Sequence, residues 1–104
     1  MWRNKALKFY KKGLEKAEAK NLDGAIADYT IILDMAEAPG DVKAMARLNR
    51  ALARSSNREY SLADRDLREV LADMQAPEQV KEAARLKLNR LKRRIDESHG
   101  EDDE

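Results

Sequence analysis

The chain repeats itself with a period of 38 residues. Seven residues of the segment 38–48 recur in the same register further along the chain. They are Ala38-Pro39, Val42-Lys43 and Ala46-Arg47-Leu48, which return as Ala76-Pro77, Val80-Lys81 and Ala84-Arg85-Leu86. Asp28 and Asp66 have the same separation. A period of this length is typical of proteins that stack one supersecondary unit, so it limits the chain to a repeat architecture.

Each unit predicts a helical hairpin, because apolar residues recur at helical spacing on both sides of a polar break. The breaks lie near Asn21 and over residues 56–59. We therefore predict hairpin 1 at about residues 4–37 and hairpin 2 at about residues 41–75. One longer capping helix is expected at about residues 77–97, which gives five helices. With only two Pro and 5% aromatic residues, the composition also favours an all-α fold over a sheet.

The domain is expected to span residues 1–95 and to be followed by a disordered tail. Residues 98–104 are polar and mostly acidic, and such a segment cannot bury enough apolar surface to fold. The chain has no uninterrupted apolar run of membrane-spanning length and no apolar N-terminal leader, so we expect no membrane partner and a cytoplasmic location.

Residues for catalysis or metal binding are hard to find. The chain has no Cys, and its sole imidazole, His99, lies in the predicted tail, where it cannot form a rigid pair with a nucleophile. Asp64, Asp66 and Glu69 lack calcium-loop spacing and are interpreted as a solvated helix face. We therefore expect no enzyme activity, no catalytic residues, no cofactor and no metal.

Residues at fixed offsets in both units resemble the tetratricopeptide repeat family over about residues 5–95, or two and a half repeats. The first unit places Phe9, Gly13, Ala25, Tyr29 and Leu33 at the family's aromatic, small and aliphatic positions, and the second has Asn49-Arg50-Ala51 followed by Tyr60, Ala63, Leu67 and Leu71. Lys16 and Arg54 depart from it, because the family usually has Tyr there, and the inter-repeat turn is four residues longer. The resemblance implies a right-handed α-solenoid whose first helices line a concave, peptide-binding groove.

Charge alternates between successive helices. Residues 43–58 contain five basic and no acidic side chains, whereas residues 23–41 contain five acidic and no basic ones. Residues 3–20 and 81–94 are also basic, and residues 59–78 are acidic. Together with the resemblance, this pattern predicts a basic groove that attracts an acidic peptide. Alternatively, the basic stripes are neutralised by acidic residues of the paired helix.

Groove candidates follow from the resemblance and lie on the three first helices. They are Leu7, Tyr10, Lys11, Leu14, Met45, Leu48, Asn49, Leu52, Leu86, Lys87 and Arg90. For Leu48 and Leu52, burial in the core is the competing interpretation. Of the residues with which the family clamps a peptide carboxylate, only Asn49 and Lys87 have counterparts here.

A protein-interaction module with a protein or peptide partner is thus the leading hypothesis. The alternative is a structural module that covers its groove by homodimerisation or a larger self-assembly. Binding to a nucleic-acid backbone ranks last, because aromatic residues that could stack on bases are few.

Overall fold

The structure is a computed structural model that describes the backbone of residues 1–102 and the side chains of residues 1–95. Its elements are helices only, without a strand over residues 1–102: α1 (Trp2–Glu18), α2 (Leu22–Leu33), α3 (Gly40–Ser56), α4 (Tyr60–Ala72) and α5 (Glu78–Asp102). The predicted all-α fold is confirmed. In the described part of the chain, no helix is both long and apolar enough to span a bilayer.

Helix α5 differs most from its predicted bounds, since it continues past residue 97 to Asp102. Adding one residue to an existing helix gains a backbone hydrogen bond without a new nucleation step, so a polar sequence can extend it. The backbone of α5 therefore covers part of the segment 98–104, for which a disordered acidic tail is predicted. Residues 103 and 104 and the side chains of 96–104 lie outside the described residues, and the tail stays a prediction.

The turns repeat with the 38-residue period. Lys20 and Arg58 both have the left-handed backbone conformation, with φ of 66° and 63°. The next residue in each turn closes the helix in the same way, because the Asn21 and Glu59 N–H groups each donate a 2.8 Å hydrogen bond five residues back. The turns between hairpins also agree, with Ala38 donating to Met35 and Ala76 donating to Asp73, both at 3.2 Å. The internal repeat is thus present in the backbone geometry of the turns.

Helix packing divides the protein into two layers. Each helix packs on the next, and α3 also contacts both α1 and α5. In contrast, α2 and α4 do not contact each other within residues 1–102. We call α1, α3 and α5 the inner layer, and α2 and α4 the outer layer.

The apolar core consists of two clusters that share α3. Val42 and Ala46 belong to the cluster with α1 and α2, while Ala44 and Ala51 belong to the cluster with α4 and α5. All four side chains are fully buried. Small residues on α3 let helices approach closely from both sides, so α3 fixes the position of the other inner helices.

Candidate functional site

The predicted groove residues lie on the inner layer, and we call the surface that they form the inner surface. Residues one period apart lie side by side on neighbouring inner helices, as Arg3 and Asp41 demonstrate directly: the Arg3 Nη2 atom lies 3.1 Å from Asp41 Oδ2. This hydrogen-bonded ion pair also lowers the pKa of the Asp41 carboxyl below its ordinary value. Packed helices are about 8–10 Å apart, so equivalent residues form rows with that spacing.

Two such rows cross the inner surface. Lys11, Asn49 and Lys87 occupy equivalent positions on α1, α3 and α5. Leu14, Leu52 and Arg90 form the second row, one helical turn further on. Both leucines are 37% exposed, and Leu86, one turn before Arg90, is 52% exposed. The inner surface therefore presents apolar and cationic side chains together.

Four of the predicted groove residues are held more deeply. Leu7 and Tyr10 pack against the cluster of α1 and α2, and Leu48 packs against the cluster of α4 and α5. Met45 is half-buried. Leu48 thus packs against the core, as the competing interpretation expects, whereas the side chain of Leu52 is exposed.

Asn49 links two inner helices. Its Nδ2 atom donates to the Tyr10 hydroxyl oxygen and to the Met45 carbonyl oxygen, each at 2.9 Å. A carbonyl oxygen can only accept, so this contact fixes the orientation of the amide. Burial raises the pKa of Tyr10, and the Asn49 hydrogen bond partly offsets that effect. The amide nitrogen is engaged in the fold, which makes Asn49 a structural link with only its carbonyl side left to contact a ligand.

The basic stripe of α3 consists of Lys43, Arg47, Arg50 and Arg54, and its three arginines are directed towards the outer layer. Arg47 lies 3.2 Å from Glu69, and Arg50 and Arg54 both bind Asp66. These partners belong to α4, the second helix of the same hairpin. Neutralisation by the paired helix is therefore the correct interpretation for these three arginines. Their spacing along α3 defines a face without specifying which helix that face meets.

Hairpin 1 contains a simpler version of the same contact. The Lys16 Nζ atom lies 2.9 Å from Asp28 Oδ2, although their geometry does not form a hydrogen bond. Lys16 and Asp28 precede Arg54 and Asp66 by one period. That recurrence is the signal in the sequence that distinguishes these four positions.

The cations of the inner surface behave differently from the α3 stripe. Lys11, Lys87 and Arg90 form no ion pair with the residues whose side chains are described. Their charges are thus not cancelled by a direct partner within residues 1–95. The cationic character of the inner surface depends on these three side chains.

A network that the sequence analysis did not predict connects three helices. Arg50 Nη1 donates to the Thr30 hydroxyl oxygen at 3.2 Å, and that hydroxyl donates to the Ile26 carbonyl at 2.7 Å. The same guanidinium binds Asp66, which is fully buried, so its interpretation as part of a solvated helix face is wrong. Arg50 therefore links hairpin 2 to hairpin 1, and the sequence around Arg50 does not indicate this contact.

A surface cavity of about 390 Å³ lies at the end of α1, and none of the predicted groove residues lines it. Lys12, Glu15, Lys16, Ala19 and Asn21 line it. Among the residues described, no three His, Cys, Asp or Glu side chains come together as a set that could hold a metal ion.

Comparison of the chain with protein-family models, with curated proteins and with solved structures finds no match, so the inner surface has to be interpreted from its own residues.

Proposed function

We propose that this protein is a tetratricopeptide-type interaction module that binds an acidic peptide segment on its inner surface and catalyses no reaction. The period and the two-layer packing support the proposed family. Neighbouring inner helices touch, whereas the outer helices α2 and α4 do not touch within residues 1–102. A closer spacing in one layer favours a stack that curves towards that layer, so the inner surface is the concave one.

The observation that carries the proposal is the pairing of exposed leucines with cations on the inner surface. Leu14, Leu52 and Leu86 are all more than a third exposed. On α5, Lys87 follows Leu86 directly and Arg90 lies one helical turn after it. Apolar contact area stabilises a bound segment, while fixed positive charges accelerate its capture and select acidic partners.

Calorimetric titration with a panel of acidic peptides at low and high salt tests this function. We expect binding that weakens as salt rises, because screening reduces attraction between exposed charges. Replacing Lys87 and Arg90 with Gln should weaken binding, whereas Arg68→Gln on α4 should leave it unchanged. Arg68 is a suitable control because its side chain is 56% exposed and, among residues 1–95, pairs only with Asp64 on its own helix. Failure of every acidic peptide to bind would refute the proposal.

Self-association is the competing function, and the exposed leucines are the observation in its favour. End-to-end stacking on hairpin 1 is disfavoured, because Asn4 and Lys8 stand one period before Val42 and Ala46. The latter pair is fully buried between the hairpins, while the former pair is exposed. A second copy would therefore have to cover the inner surface. Sedimentation equilibrium over a wide concentration range distinguishes this outcome from a peptide-binding monomer.

A further inference from the structure

Charge is unevenly distributed across the inner surface. At its α1 end, Leu14 has the exposed Glu18 one helical turn away. Lys11, the only cation among the predicted groove residues of α1, thus shares its end of the surface with a carboxylate.

The other two inner helices differ from α1. The four predicted groove residues of α3 carry no charge: they are Met45, Leu48, Asn49 and Leu52. On α5, Lys87 and Arg90 lie one turn apart with only Leu88 and Asn89 between them. Among the predicted groove residues, charge therefore changes from one cation beside a carboxylate on α1, through none on α3, to two cations on α5.

We infer that the bound segment has a fixed polarity: its apolar side chains pack on Leu14 and Leu52, and its acidic side chains face Lys87 and Arg90. This inference rests on the proposed function and specifies the ligand of the same surface. Acidic groups are directed to α5 by its two neighbouring cations, since at the opposite end the positive charge of Lys11 is opposed by the negative charge of Glu18. Leu14 and Leu52, which are exposed on the neighbouring helices α1 and α3, provide the matching apolar contact.

The spacing of the rows defines the ligand further. Neighbouring inner helices are about 8–10 Å apart, and an extended chain advances about 3.3 Å per residue. Residues three apart in an extended segment therefore meet successive inner helices. The surface fits an extended peptide in which an apolar residue, a second apolar residue and an acidic residue follow one another at that interval.

Two peptides of identical composition test this polarity by fluorescence anisotropy. In the block peptide, two leucines at the stated interval precede the acidic residues; in the interspersed peptide, acidic residues separate and flank the leucines. We expect the block peptide to bind about tenfold more tightly, since only it satisfies the leucines and the α5 cations together. Equal affinities would overturn the inferred polarity and leave the proposed function intact, whereas absence of binding by both peptides would overturn both.

Point variants locate the two contacts. Arg90→Gln should weaken the block peptide about fivefold and reduce its salt dependence, because a cation near the acidic residues is lost. Leu14→Gln should weaken it to a similar extent with the salt dependence unchanged. The matched controls are Arg68→Gln and Leu62→Gln on the outer layer, where Leu62 is 39% exposed. Equal effects of inner and outer variants would contradict the assignment.

A nitroxide label on the peptide shows which end lies where. With the label beside the acidic residues, amide signals of α5 should broaden most in the NMR spectrum of the protein. With the label beside the leucines, signals of α1 should broaden most. The reverse pattern, or equal broadening from both labels, would exclude a fixed polarity.

Discussion

Arg50 and Asp66 face each other across hairpin 2 as a bidentate ion pair, with Nε 2.9 Å from Oδ2 and Nη2 2.7 Å from Oδ1. Arg54 adds a third bond to the same carboxylate at 2.7 Å. Asp66 has no solvent exposure, so these charge-assisted hydrogen bonds replace its hydration. The buried carboxylate of Asp66 therefore depends on two guanidinium groups for its hydrogen bonds.

Asp66→Asn should lower the free energy of unfolding by about 3–5 kcal/mol, because it leaves the partly buried Arg50 and Arg54 without a counter-charge. Asp28→Asn is the matched control, since Asp28 is also buried but meets a single lysine, whose side chain is 41% exposed. We expect it to cost only about 1–2 kcal/mol. Urea unfolding of both variants gives the comparison, and equal losses would show that the bidentate geometry has no special weight.

Gly13→Ala should destabilise the protein, although alanine is ordinarily the better helix former. A Cβ at Gly13 would lie 2.9 Å from Tyr29 Cδ1 and closer still to Cε1, which is too near for two carbon atoms. Overpacking of this kind costs about 1–3 kcal/mol. The loss is measured as a change in the urea midpoint at constant slope.

Hairpin 2 supplies the control for that variant. One period later, Ala51 and Leu67 occupy the places of Gly13 and Tyr29, so a larger residue on the first helix faces a smaller one on the second. The double variant Gly13→Ala, Tyr29→Leu should therefore be more stable than the sum of the two single changes indicates. Strict additivity in the double-mutant cycle would contradict the proposed exchange of volume.

Lys20→Gly and Arg58→Gly should each stabilise the protein. Both residues have φ near +65°, where a Cβ meets the following carbonyl oxygen at a cost of about 1–2 kcal/mol. Glycine avoids that strain but loses more chain entropy on folding, so the net gain should be about 0.5–1 kcal/mol. Thermal unfolding measures it. Ala19→Gly is the control, because Ala19 has φ of −81° and should instead lose stability.

The helices could be predicted from the sequence because local patterns determine them. Polar breaks and apolar spacing predicted five helices, and five are observed over residues 1–102. The match between Asp28 and Asp66 likewise marked positions that form ion pairs in both hairpins. Each of these features occurs in both repeat units, so it can be recognised by aligning one unit with the other.

The partners of individual side chains could not be predicted in the same way. Arg50 binds Asp66, 16 residues away, and Asn49 binds the Tyr10 hydroxyl, 39 residues away. Only the packing of helices decides which of several nearby groups each one meets. For that reason, the direction of the α3 basic stripe and the structural engagement of Asn49 required the structure.

Stability should fall as the pH rises from about 10 to 12, and Tyr29 should contribute to that fall. Burial, together with the nearby Tyr10 and Asp28, raises the pKa of Tyr29 from 10.0 to about 12. Between those values the unfolded chain has lost the phenolic proton and the folded protein retains it, so the free energy of unfolding decreases with pH. Below pH 10 the contribution is complete and constant.

Tyr29→Phe removes this titrating group while nearly preserving its volume. We expect the wild type to lose stability more steeply than the variant across that pH window, as measured by urea unfolding at each pH. Every other ionisable group is present in both proteins, so its effect cancels in the difference. Parallel stability curves would mean that Tyr29 does not have a raised pKa.

Asn49→Ala should destabilise the protein and should weaken peptide binding only indirectly. The variant removes two 2.9 Å hydrogen bonds, to the Tyr10 hydroxyl and to the Met45 carbonyl, with an expected loss of about 1–2 kcal/mol. Asn89→Ala is the control, because Asn89 is an exposed residue of α5 and should change stability little. Because the amide nitrogen is already engaged, we expect Asn49→Ala to weaken binding by less than Arg90→Gln when both are measured under strongly folding conditions. A larger loss of affinity for Asn49→Ala at unchanged stability would instead identify Asn49 as a direct ligand of the peptide.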